Sequence, residues 1–496
     1  MTTTNITSTN TSPTGVRTYQ WYADGEWRDG PAAFEDFEPY TGDVYALAPN
    51  CGAEEAKVAI AAASAAFPRW ADTPPAEKAR LFSKIAEIIR RRREEIAEML
   101  GRETGSTVPA AAGQLELLTA ALEQAAKWVY LPKGEVLVSN VPNTHSITIR
   151  RPLGVVASFT PWNAAQLLPW RAVLNPLVTG CTVVVKPSEY SPISGGLLIA
   201  EIIEEAGFPP GVVNIVPHAP GAAGPIADEF FASDEVRAIN LIGGVKTARV
   251  LAERAGRTLK RTVLELGGYN PMIVLDDVDV DYAARTATFG SFLHQGQICL
   301  NTRKVIVQRE IYDEFLEKFV ERTNALPSGD PLDPHTIIGP LIHQGAVDLM
   351  EQRVEEAVSL GATVRTGGTH RGLVYEPTIL TDVPYEATAS NEETFGPLVV
   401  VEAVDTPEDA VAVANRVHYG LTSTILAGDT YKAFELAPKV WHGVVNINSP
   451  TLNEELHAPI GGVRDSGWGR TGPHSLADFT DVIWINATSG ERELPF

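Results

Sequence analysis

From residue 152 onward, short apolar runs rich in β-branched residues alternate with segments in which apolar residues recur at helical spacing. The apolar runs predict strands at 155–159, 182–185, 212–216 and 238–241. The segments between them predict helices at 170–179, 193–206 and 221–231. Strands that alternate with helices at this pitch predict a parallel sheet covered on both faces. Such sheets bind ligands at the carboxyl ends of their strands, so the residues after each strand are the first candidates for function.

A second region of the same α/β character follows the first. Its apolar runs predict strands at 262–266, 272–274, 305–307, 362–365, 444–447 and 479–485. Its periodic segments predict helices at 312–323, 345–360, 407–416 and 431–437. Thr406 precedes the third of these helices and is expected to cap it.

The N-terminal third has a different pattern. Short strands are expected within 21–39, and helices at 54–70, 74–100 and 110–129, the second of them capped by Thr73. The segment 133–151 contains two short β-type runs separated by turn-forming residues, which predicts a hairpin. Residues 1–14 are rich in Thr, Asn and Ser, and this composition predicts a disordered tail and not a secretory signal.

Composition narrows the possible functions of the chain. Its 496 residues and 44% hydrophobic content suffice for two or three packed domains. The formal net charge of −22 argues against nucleic acid or an anionic membrane as a partner. No apolar run is long enough to predict a membrane span. The 3 cysteines are too few and too scattered for a disulfide framework or a zinc cluster, so we expect no metal site and a reducing, cytoplasmic location.

Cys299 lies in a short Gly-Gln loop and not in an apolar run. A thiolate is a strong nucleophile when its surroundings lower its pKa, although a free cysteine is more commonly a buried, inert side chain. Two other residues fit a site around such a nucleophile. Glu265 is a carboxylate inside an apolar strand, where desolvation would raise its pKa towards that of a general base, although a structural, paired role is also open. Asn163 offers an amide N–H to an oxyanion.

Polar or glycine-rich residues follow three strands of the first predicted sheet. They are Thr160-Pro161-Trp162-Asn163, Lys186-Pro187-Ser188-Glu189 and Gly243-Gly244. A dinucleotide needs such endings, because its pyrophosphate requires a close-approach turn and a helix N-terminus, and its riboses require hydrogen bonds. A GxGxxG fingerprint is absent. Taken alone, these residues could therefore equally belong to ordinary loops between strands and helices that bind no ligand.

Six motifs occur in order along the chain, and together they carry a resemblance. They are Pro161-Trp162-Asn163, Lys186-Pro187-Ser188-Glu189, Glu265-Leu266-Gly267-Gly268, Gly296-Gln297-Ile298-Cys299, Glu392-Glu393-Thr394-Phe395-Gly396-Pro397 and Pro459-Ile460-Gly461-Gly462-Val463-Arg464-Asp465-Ser466-Gly467. In this order and spacing they resemble the aldehyde dehydrogenase superfamily, from about residue 22 to residue 485. The resemblance implies that Cys299 attacks an aldehyde to give a thiohemiacetal. It also implies that Asn163 and the Cys299 N–H hold the oxyanion, and that Glu265 activates the water that releases the acid.

The resemblance further implies NAD(P)+ as the cofactor. The residues expected to bind it are Thr160, Pro161, Trp162, Lys186, Ser188, Glu189, Gly243, Gly244, Leu266, Gly267, Glu393 and Phe395. A carboxylate at Glu189, beside the ribose 2′-OH, would repel a 2′-phosphate, so NAD is expected over NADP. The loop 241–248 departs from the family pattern, because the family's hydroxyls are missing at Ile242, Gly244 and Val245. Because of these departures, the sequence does not predict which groups of this loop contact the pyrophosphate.

The fold class implied by the resemblance is α/β, with two Rossmann-type parallel-sheet domains and a small β oligomerisation element. Residues 15–131 and 152–262 would form the NAD-binding domain, and residues 263–477 the catalytic domain. Residues 132–151 and 478–496 would form the oligomerisation element of a homodimer or homotetramer, since free strand edges tend to be paired across subunits.

Within the superfamily, the motifs around Asn163, Cys299 and Asn446 look most like the bacterial group that oxidises aromatic aldehydes of the benzaldehyde, salicylaldehyde and vanillin kind. The candidate residues of the substrate pocket are Trp170, Arg171, Ile298, Leu300 and Leu456. Arg171 could face a phenol or carboxylate on the substrate, or could equally be solvated or ion-paired. An aliphatic aldehyde or semialdehyde stays open as the substrate. A non-catalytic family member and a cofactor-free thiol esterase or acyl transferase are the alternatives from other classes.

Overall fold

The structure is a computed structural model that describes residues 10–11, 15–492 and 494–496. Most of the segment predicted to be a disordered tail, namely 1–9 and 12–14, lies outside the described residues. Asn10 and Thr11 pair with Thr18 and Arg17 in a short antiparallel ladder. Among the helices of the described residues, none combines the length and the apolar character needed to cross a membrane.

Strands and helices of the described chain are numbered separately in chain order. The strands are β1 (Asn10–Thr11), β2 (Arg17–Thr18), β3 (Trp21–Ala23), β4 (Glu26–Arg28), β5 (Ala33–Phe37), β6 (Val44–Pro49), β7 (Val136–Leu137), β8 (Thr144–Pro152), β9 (Val155–Phe159), β10 (Thr182–Lys186), β11 (Val213–Ile215), β12 (Val236–Gly243), β13 (Arg261–Leu266), β14 (Asn270–Val274), β15 (Thr302–Gln308), β16 (Thr363–Thr366), β17 (His370–Arg371), β18 (Val374–Tyr375), β19 (Thr378–Thr381), β20 (Leu398–Val404), β21 (Thr422–Leu426), β22 (Val444–Ile447), β23 (Gly467–Trp468) and β24 (Thr480–Thr488). The α-helices are α1 (Ala53–Ala71), α2 (Pro75–Arg91), α3 (Arg93–Thr104), α4 (Val108–Trp128), α5 (Leu167–Thr179), α6 (Leu198–Ala206), α7 (Ala223–Ala232), α8 (Val245–Thr258), α9 (Val280–Phe292), α10 (Tyr312–Asn324), α11 (Gln344–Ser359), α12 (Thr388–Asn391), α13 (Pro407–Ala414) and α14 (Thr430–Leu436).

The first large sheet has the strand order β23-β13-β12-β9-β10-β11-β3-β4. Its central strands, β13 to β11, run parallel, which confirms the predicted parallel sheet, and the outer strands are antiparallel. Val183 and Val185 join the apolar cluster with α2, α4 and α6 on one face, whereas Val184 joins the cluster with α1, α7 and α8 on the other. This alternation buries the central strands on both faces and leaves their carboxyl ends free to form a site.

The second large sheet has the order β16-β19-β20-β15-β14-β21-β22 and is parallel except for its edge strand β16. Met272 and Val274 face one apolar cluster and Ile273 faces another, so this sheet is also covered on both sides. The second predicted α/β region is thus confirmed, with α9, β19, β20 and β21 among the elements beyond those predicted. β13 belongs to the first sheet and crosses the domain boundary predicted between 262 and 263, so the parallel part of the first sheet extends to Leu266.

A third sheet is antiparallel, in the order β24-β8-β7. Its β24 pairs with β8 along its whole length, from Thr480 opposite Pro152 to Thr488 opposite Thr144. Because β7 pairs antiparallel with β8, the predicted hairpin is confirmed. The sheet joins the segment between α4 and β9 to the C-terminal segment of the chain.

Three predictions about helices and their ends have different outcomes. The helix predicted at 74–100 is wrong as one element, because the chain leaves helical geometry at Arg92 (φ −95°, ψ 14°) and continues as α3. Thr73 does not cap α2, since its hydroxyl donates instead to the carbonyl oxygen of Arg69 at 2.9 Å. Thr406 does cap α13, where its Oγ1 accepts the N–H of Asp409 at 3.1 Å.

Candidate active site

The carboxyl ends of β9, β12 and β13 face the loop that carries Cys299, and a cavity of about 300 Å³ lies between them. This space, called the main cavity below, is at the lower end of the range of about 300–1,000 Å³ that small-molecule sites occupy. Its walls are Pro161, Trp162, Asn163, Leu168, Arg171, Ile242, Gly243, Gly244, Glu265, Leu266, Gly267, Cys299, Leu300, Glu393, Phe395, Leu421, Ile460 and Gly461. The structure therefore brings the predicted nucleophile, base and oxyanion donor to one cavity.

The loop before Cys299 is held by the buried guanidinium of Arg303, which is 1% exposed. Its Nη1–H donates to the carbonyl oxygen of Gly396 at 2.9 Å, and its Nη2–H to those of Gly296 and Ile298. Gly296 has a left-handed backbone (φ +68°), and a Cβ there would lie 2.1 Å from the Gly396 carbonyl oxygen. Glycine is required at this position, because both the backbone conformation and the close approach exclude a side chain.

A second buried side chain, Asn270, supports the loop from β14. Its amide donates to the carbonyl oxygens of Cys299 at 2.7 Å and Asn301 at 2.8 Å. Asn301 in turn accepts the N–H of Ile298 at 2.8 Å through Oδ1. These bonds fix the backbone on both sides of the thiol, so the position of Sγ is set before any substrate arrives.

Asn163 is 5% exposed and lines the main cavity just beyond β9. Its side-chain amide donates to the carbonyl oxygen of Gln297 at 2.8 Å. A primary amide has two N–H donors, so this bond orients the group and leaves the second donor available to a ligand in the cavity.

Glu265 lies near the end of β13 and lines the same cavity. Burial raises the pKa of its carboxyl to about 7, against the opposing effect of the positive charge on Arg171. A carboxyl with a pKa near neutrality can exchange a proton at working pH, which is the property that a general base requires.

Cys299 differs from the other two cysteines in its accessibility. Cys51 and Cys181 are buried, whereas Cys299 is partly exposed and lines the main cavity. Burial, reinforced by the nearby carboxyl of Glu393, raises the pKa of the Cys299 thiol to about 12. The thiol therefore holds its proton in the resting protein, and a nucleophilic role requires that a neighbouring base accept it.

The carboxyl of Glu393 sits directly against the glycine turn after β13. It accepts the N–H of Gly268 at 3.2 Å, and a Cβ on Gly267 would lie 2.0 Å from one of its oxygens. Trp162 and Phe395 meet edge to face on the same wall, with ring centroids 5.8 Å apart. The glycine turn has no side chain that would block a ligand, and the Glu393 carboxylate can accept hydrogen bonds from a ribose. The aromatic rings beside them offer a surface for a flat heteroaromatic ring.

Gly243 and Gly244 form the turn between β12 and α8, and both line the main cavity. No atom lies within 4 Å of a Cβ built on Gly244, so this turn leaves open space at the helix N-terminus. The hydroxyl of Thr160 is buried without a protein hydrogen-bond partner in the described chain. An anionic group at a helix N-terminus would be stabilised by the unpaired N–H groups there, so these residues fit the pyrophosphate of a dinucleotide.

Four of the predicted cofactor residues lie outside the lining of the main cavity: Thr160, Lys186 at the end of β10, and Ser188 and Glu189 just after it. The buried ammonium of Lys186 lies 2.7 Å from Nε2 of His218, and burial lowers its pKa to about 8. Ser188 Oγ accepts the N–H of Tyr190 at 3.3 Å. His218 was missed from the sequence, although its position just after β11, another strand of the same rim, is a signal that could have identified it.

Two predicted pocket residues are in the main cavity, since Arg171 and Leu300 both line it. The prediction that Trp170 lines the substrate pocket has to be corrected. This residue of α5 is fully buried in the apolar core and lies outside the cavity lining. Its Nε1–H donates to Oε1 of Gln166 at 3.1 Å. The reason is helix geometry: Leu168 and Arg171 are three positions apart and share the cavity face of α5, whereas Trp170 points away from it.

Ile298 and Leu456, the remaining predicted pocket residues, also lie outside the lining of the main cavity. Leu456 lines a smaller adjacent cavity, together with Arg171 and Glu454. Glu454 accepts a hydrogen bond from Nη2 of Arg171, so Arg171 is both ion-paired and part of the main cavity wall. Glu454 could not be identified from the sequence, because no local pattern links it to a residue 283 positions earlier.

Known proteins resemble this chain over nearly its whole length, in sequence and in fold. The chain is 36% identical over 469 residues to a vanillin dehydrogenase of Pseudomonas fluorescens, a match that covers 94% of this chain and 97% of that protein. The crystal structure of a salicylaldehyde dehydrogenase from Pseudomonas putida G7, complexed with salicylaldehyde, superposes with a TM-score of 0.94 at 35% identity, over 97% of this chain and 100% of that one. A betaine aldehyde dehydrogenase from Staphylococcus aureus, solved with NAD+, gives a TM-score of 0.92 at 30% identity, over 96% of this chain and 95% of that one.

The family comparison covers most of the sequence. The model of the aldehyde dehydrogenase family matches residues 27–485, which include every residue of the main cavity. The chain therefore belongs to the aldehyde dehydrogenase family, whose members oxidise aldehydes with a nicotinamide cofactor.

Proposed function

We propose that the protein oxidises an aromatic aldehyde to the carboxylic acid with a nicotinamide cofactor, through a thioester on Cys299. One observation carries the proposal: a reachable thiol, a carboxyl with a pKa of about 7 and a buried amide line the same cavity, as Cys299, Glu265 and Asn163. Covalent acyl chemistry needs a nucleophile, a base and an oxyanion donor, and this set supplies one of each.

The first step of the proposed reaction is the deprotonation of the Cys299 thiol. The Cys299 sulfur bonds to the aldehyde carbon, and its proton has to leave, since burial keeps the thiol protonated at rest. Glu265 is the residue proposed to accept that proton, because its carboxyl lines the same cavity and has a pKa near neutrality.

The second task is to stabilise the charge on the former carbonyl oxygen and then to release the product. The free amide N–H of Asn163 and the backbone N–H of Cys299 are the proposed donors to the thiohemiacetal oxyanion. The nicotinamide cofactor, when bound, accepts the hydride, and a thioester remains on Cys299. Glu265, having passed the thiol proton to solvent, takes a proton from the water that attacks the thioester. The bond between carbon and sulfur breaks, the Cys299 thiolate regains a proton, and the free acid leaves.

We propose NAD in preference to NADP. Support comes from Glu189, whose charge acts on the Lys186 ammonium at the end of β10 and would oppose a 2′-phosphate placed there. The preference is measured directly as the ratio of kcat/KM for NAD+ and NADP+. A ratio below one would contradict it and leave the aldehyde chemistry intact.

We propose an aromatic substrate because the wall of the main cavity suits a flat apolar ring. Apolar side chains from four separate parts of the chain face it, namely Leu168, Ile242, Leu300 and Leu421. Similar proteins carry the names vanillin dehydrogenase and salicylaldehyde dehydrogenase. A short aliphatic aldehyde or semialdehyde would bury less apolar surface against these side chains and gain less binding free energy.

The experiment is a substrate panel followed at the absorption band of the reduced nicotinamide. Benzaldehyde, salicylaldehyde, vanillin and an aliphatic semialdehyde are each mixed with NAD+ or NADP+ and the wild-type protein. The proposal expects cofactor reduction with at least one aromatic aldehyde. Absence of reduction with every aldehyde, in protein shown to be folded by circular dichroism, would contradict the activity. Faster turnover of the semialdehyde than of each aromatic aldehyde would contradict only the substrate class.

We also propose that residues 132–151 and 478–496, which form nearly all of the third sheet, mediate a homodimer or homotetramer. Support comes from apolar side chains that it leaves exposed, among them Val136, Val482 and Trp484. Exposed apolar patches on strands with free edges are commonly covered by another copy of the chain.

The division into an NAD-binding and a catalytic domain is proposed with its boundary after β13. We also propose a cytoplasmic location, because free cysteines are typical of a reducing compartment.

A further inference from the structure

We propose that Glu454 is a specificity-determining residue. By neutralising Arg171, it makes the main cavity accept uncharged aldehydes and reject aldehydes that carry a carboxylate. This inference rests on the proposed function and narrows its substrate class.

The first observation is the ion pair itself. Arg171 lies on α5 and Glu454 lies between β22 and β23, and Nη2 of Arg171 donates to Oε1 of Glu454. The two side chains are only 14% and 12% exposed. In such surroundings little water is available to solvate either charge alone, so separating the two side chains costs free energy.

The second observation is the place of Arg171 in the wall of the main cavity, beside Cys299 and Glu265. Within the described part of the chain, Arg171 is the basic residue of that lining, and the acidic residues are Glu265 and Glu393. A substrate carboxylate would therefore meet a cation that is already paired. It would also meet two carboxyls that repel it whenever they are ionised.

The third observation is the side from which Glu454 reaches Arg171. Glu454 lines the smaller adjacent cavity with Leu456 and Trp128, and is not part of the main cavity lining. Neutralising Glu454 therefore changes the charge that the substrate meets without removing a group from the wall against which the substrate lies. The guanidinium of Arg171, once unpaired, becomes a binding partner for a carboxylate.

These relationships give the expected selectivity. An uncharged aromatic aldehyde leaves the Arg171–Glu454 pair intact. An aldehyde with a carboxylate has to lose its own hydration and compete with Glu454 for the guanidinium, which costs binding. The acid product carries the same charge as such a substrate, so the pair also favours its release.

The test compares kcat/KM for benzaldehyde with kcat/KM for the three formylbenzoate isomers. The wild type is expected to prefer benzaldehyde at least tenfold over each isomer. Glu454→Gln is expected to reduce that preference at least tenfold for at least one isomer. Glu455→Gln is the matched control, because it removes the same charge from the neighbouring residue, whose side chain is 67% exposed, and it should leave the preference unchanged.

A second variant covers the case in which Glu454→Gln, with a buried unpaired Arg171, does not fold. The double variant Arg171→Met with Glu454→Gln leaves no unpaired charge and is expected to remain poor on every formylbenzoate. A wild type that oxidises benzaldehyde and any formylbenzoate equally well would overturn this inference and leave the proposed function standing. An unchanged preference in folded Glu454→Gln, or a gain of formylbenzoate turnover in the double variant, would overturn it as well. A wild type that oxidises no aldehyde would overturn the proposed function itself.

Discussion

The side-chain amide of Asn163 donates a hydrogen bond of 2.8 Å to the carbonyl oxygen of Gln297, a residue 134 positions away. Asn163 follows β9 of the first sheet, and Gln297 precedes Cys299 by two positions. The bond therefore ties the predicted oxyanion donor to the loop of the predicted nucleophile. Their relative positions are set by the fold and not by the substrate.

Replacing Asn163 with Ala removes one oxyanion donor and the tie to Gln297. Loss of such a donor lowers kcat by about 10²–10³ in comparable sites. Steady-state kinetics with saturating aldehyde and cofactor measures the effect, and a cofactor titration with the same variant should give nearly the wild-type Kd. A kcat within threefold of the wild type would show that Asn163 does not hold the oxyanion.

The pKa of Glu265 predicts how kcat depends on pH. Its carboxyl has a pKa of about 7 and acts as a base only when ionised, so kcat should rise as the pH increases through about 7 and level off above it. Glu265→Gln should remove this rise and lower the steady-state rate by about 10²–10⁴. If the variant keeps the same rise with pH, another group is the base.

The same variant has a second, independent signature. Glu265 is the proposed base in both halves of the reaction, but water is a weaker acid than the Cys299 thiol, so its attack depends more on a base. Hydrolysis of the thioester should therefore be slowed more than its formation, and Glu265→Gln should show a burst of one reduced cofactor per active site before a slow steady state. Stopped-flow absorbance measures the burst. A uniformly slow reaction without a burst would show that Glu265 is needed at least as much for thioester formation as for its hydrolysis.

The glycine turn after β13 predicts a loss of cofactor binding. A methyl group on Gly267 would lie 2.0 Å from a carboxylate oxygen of Glu393 and would displace that side chain. We expect Gly267→Ala to weaken NAD+ binding at least tenfold, as measured by fluorescence titration, while the fold persists. Gly224→Ala in α7 is the matched control, because a Cβ there meets no atom within 4 Å. Equal NAD+ affinity in both variants would remove Glu393 from the cofactor site.

The third sheet predicts the oligomeric state. Trp484 on β24 is 63% exposed, and Trp441, on another surface, is 64% exposed. We expect Trp484→Glu to lower the molar mass measured by light scattering to that of a smaller assembly or a monomer, because a charge cannot be buried in an apolar interface without a partner. Trp441→Glu should leave the mass unchanged. A wild type that is already monomeric would contradict the proposal.

Much of the fold could be predicted from local sequence pattern. The strands β9, β10, β12 and β13 are apolar runs bounded by helices, and a parallel sheet buried on both faces produces that pattern. The break at Arg92 could not be predicted in the same way, because helical spacing continues through it. Arg92 pairs there with Glu95 and with Glu201, a residue from a distant helix, so the break depends on tertiary contacts.

The candidate site shows the same limit. Cys299, Glu265 and Asn163 could be named because each stands in a recognisable motif, and the structure brings them to one cavity. Trp170 was misplaced because the residues around it are apolar on several sides of α5, and only packing decides which side faces the cavity. Glu454 was missed because its importance comes from an ion pair across the fold.

The most direct test of the central claim, that Cys299 carries the acyl group, is mass spectrometry of acid-quenched Glu265→Gln protein after mixing with benzaldehyde and NAD+. The claim predicts that a benzoyl group replaces one hydrogen on the peptide that contains Cys299. It predicts no such group on Cys51 or Cys181, which are buried, and none anywhere after Cys299→Ala. Cofactor reduction with an unmodified Cys299 peptide, or a benzoyl group on another residue, would contradict the account.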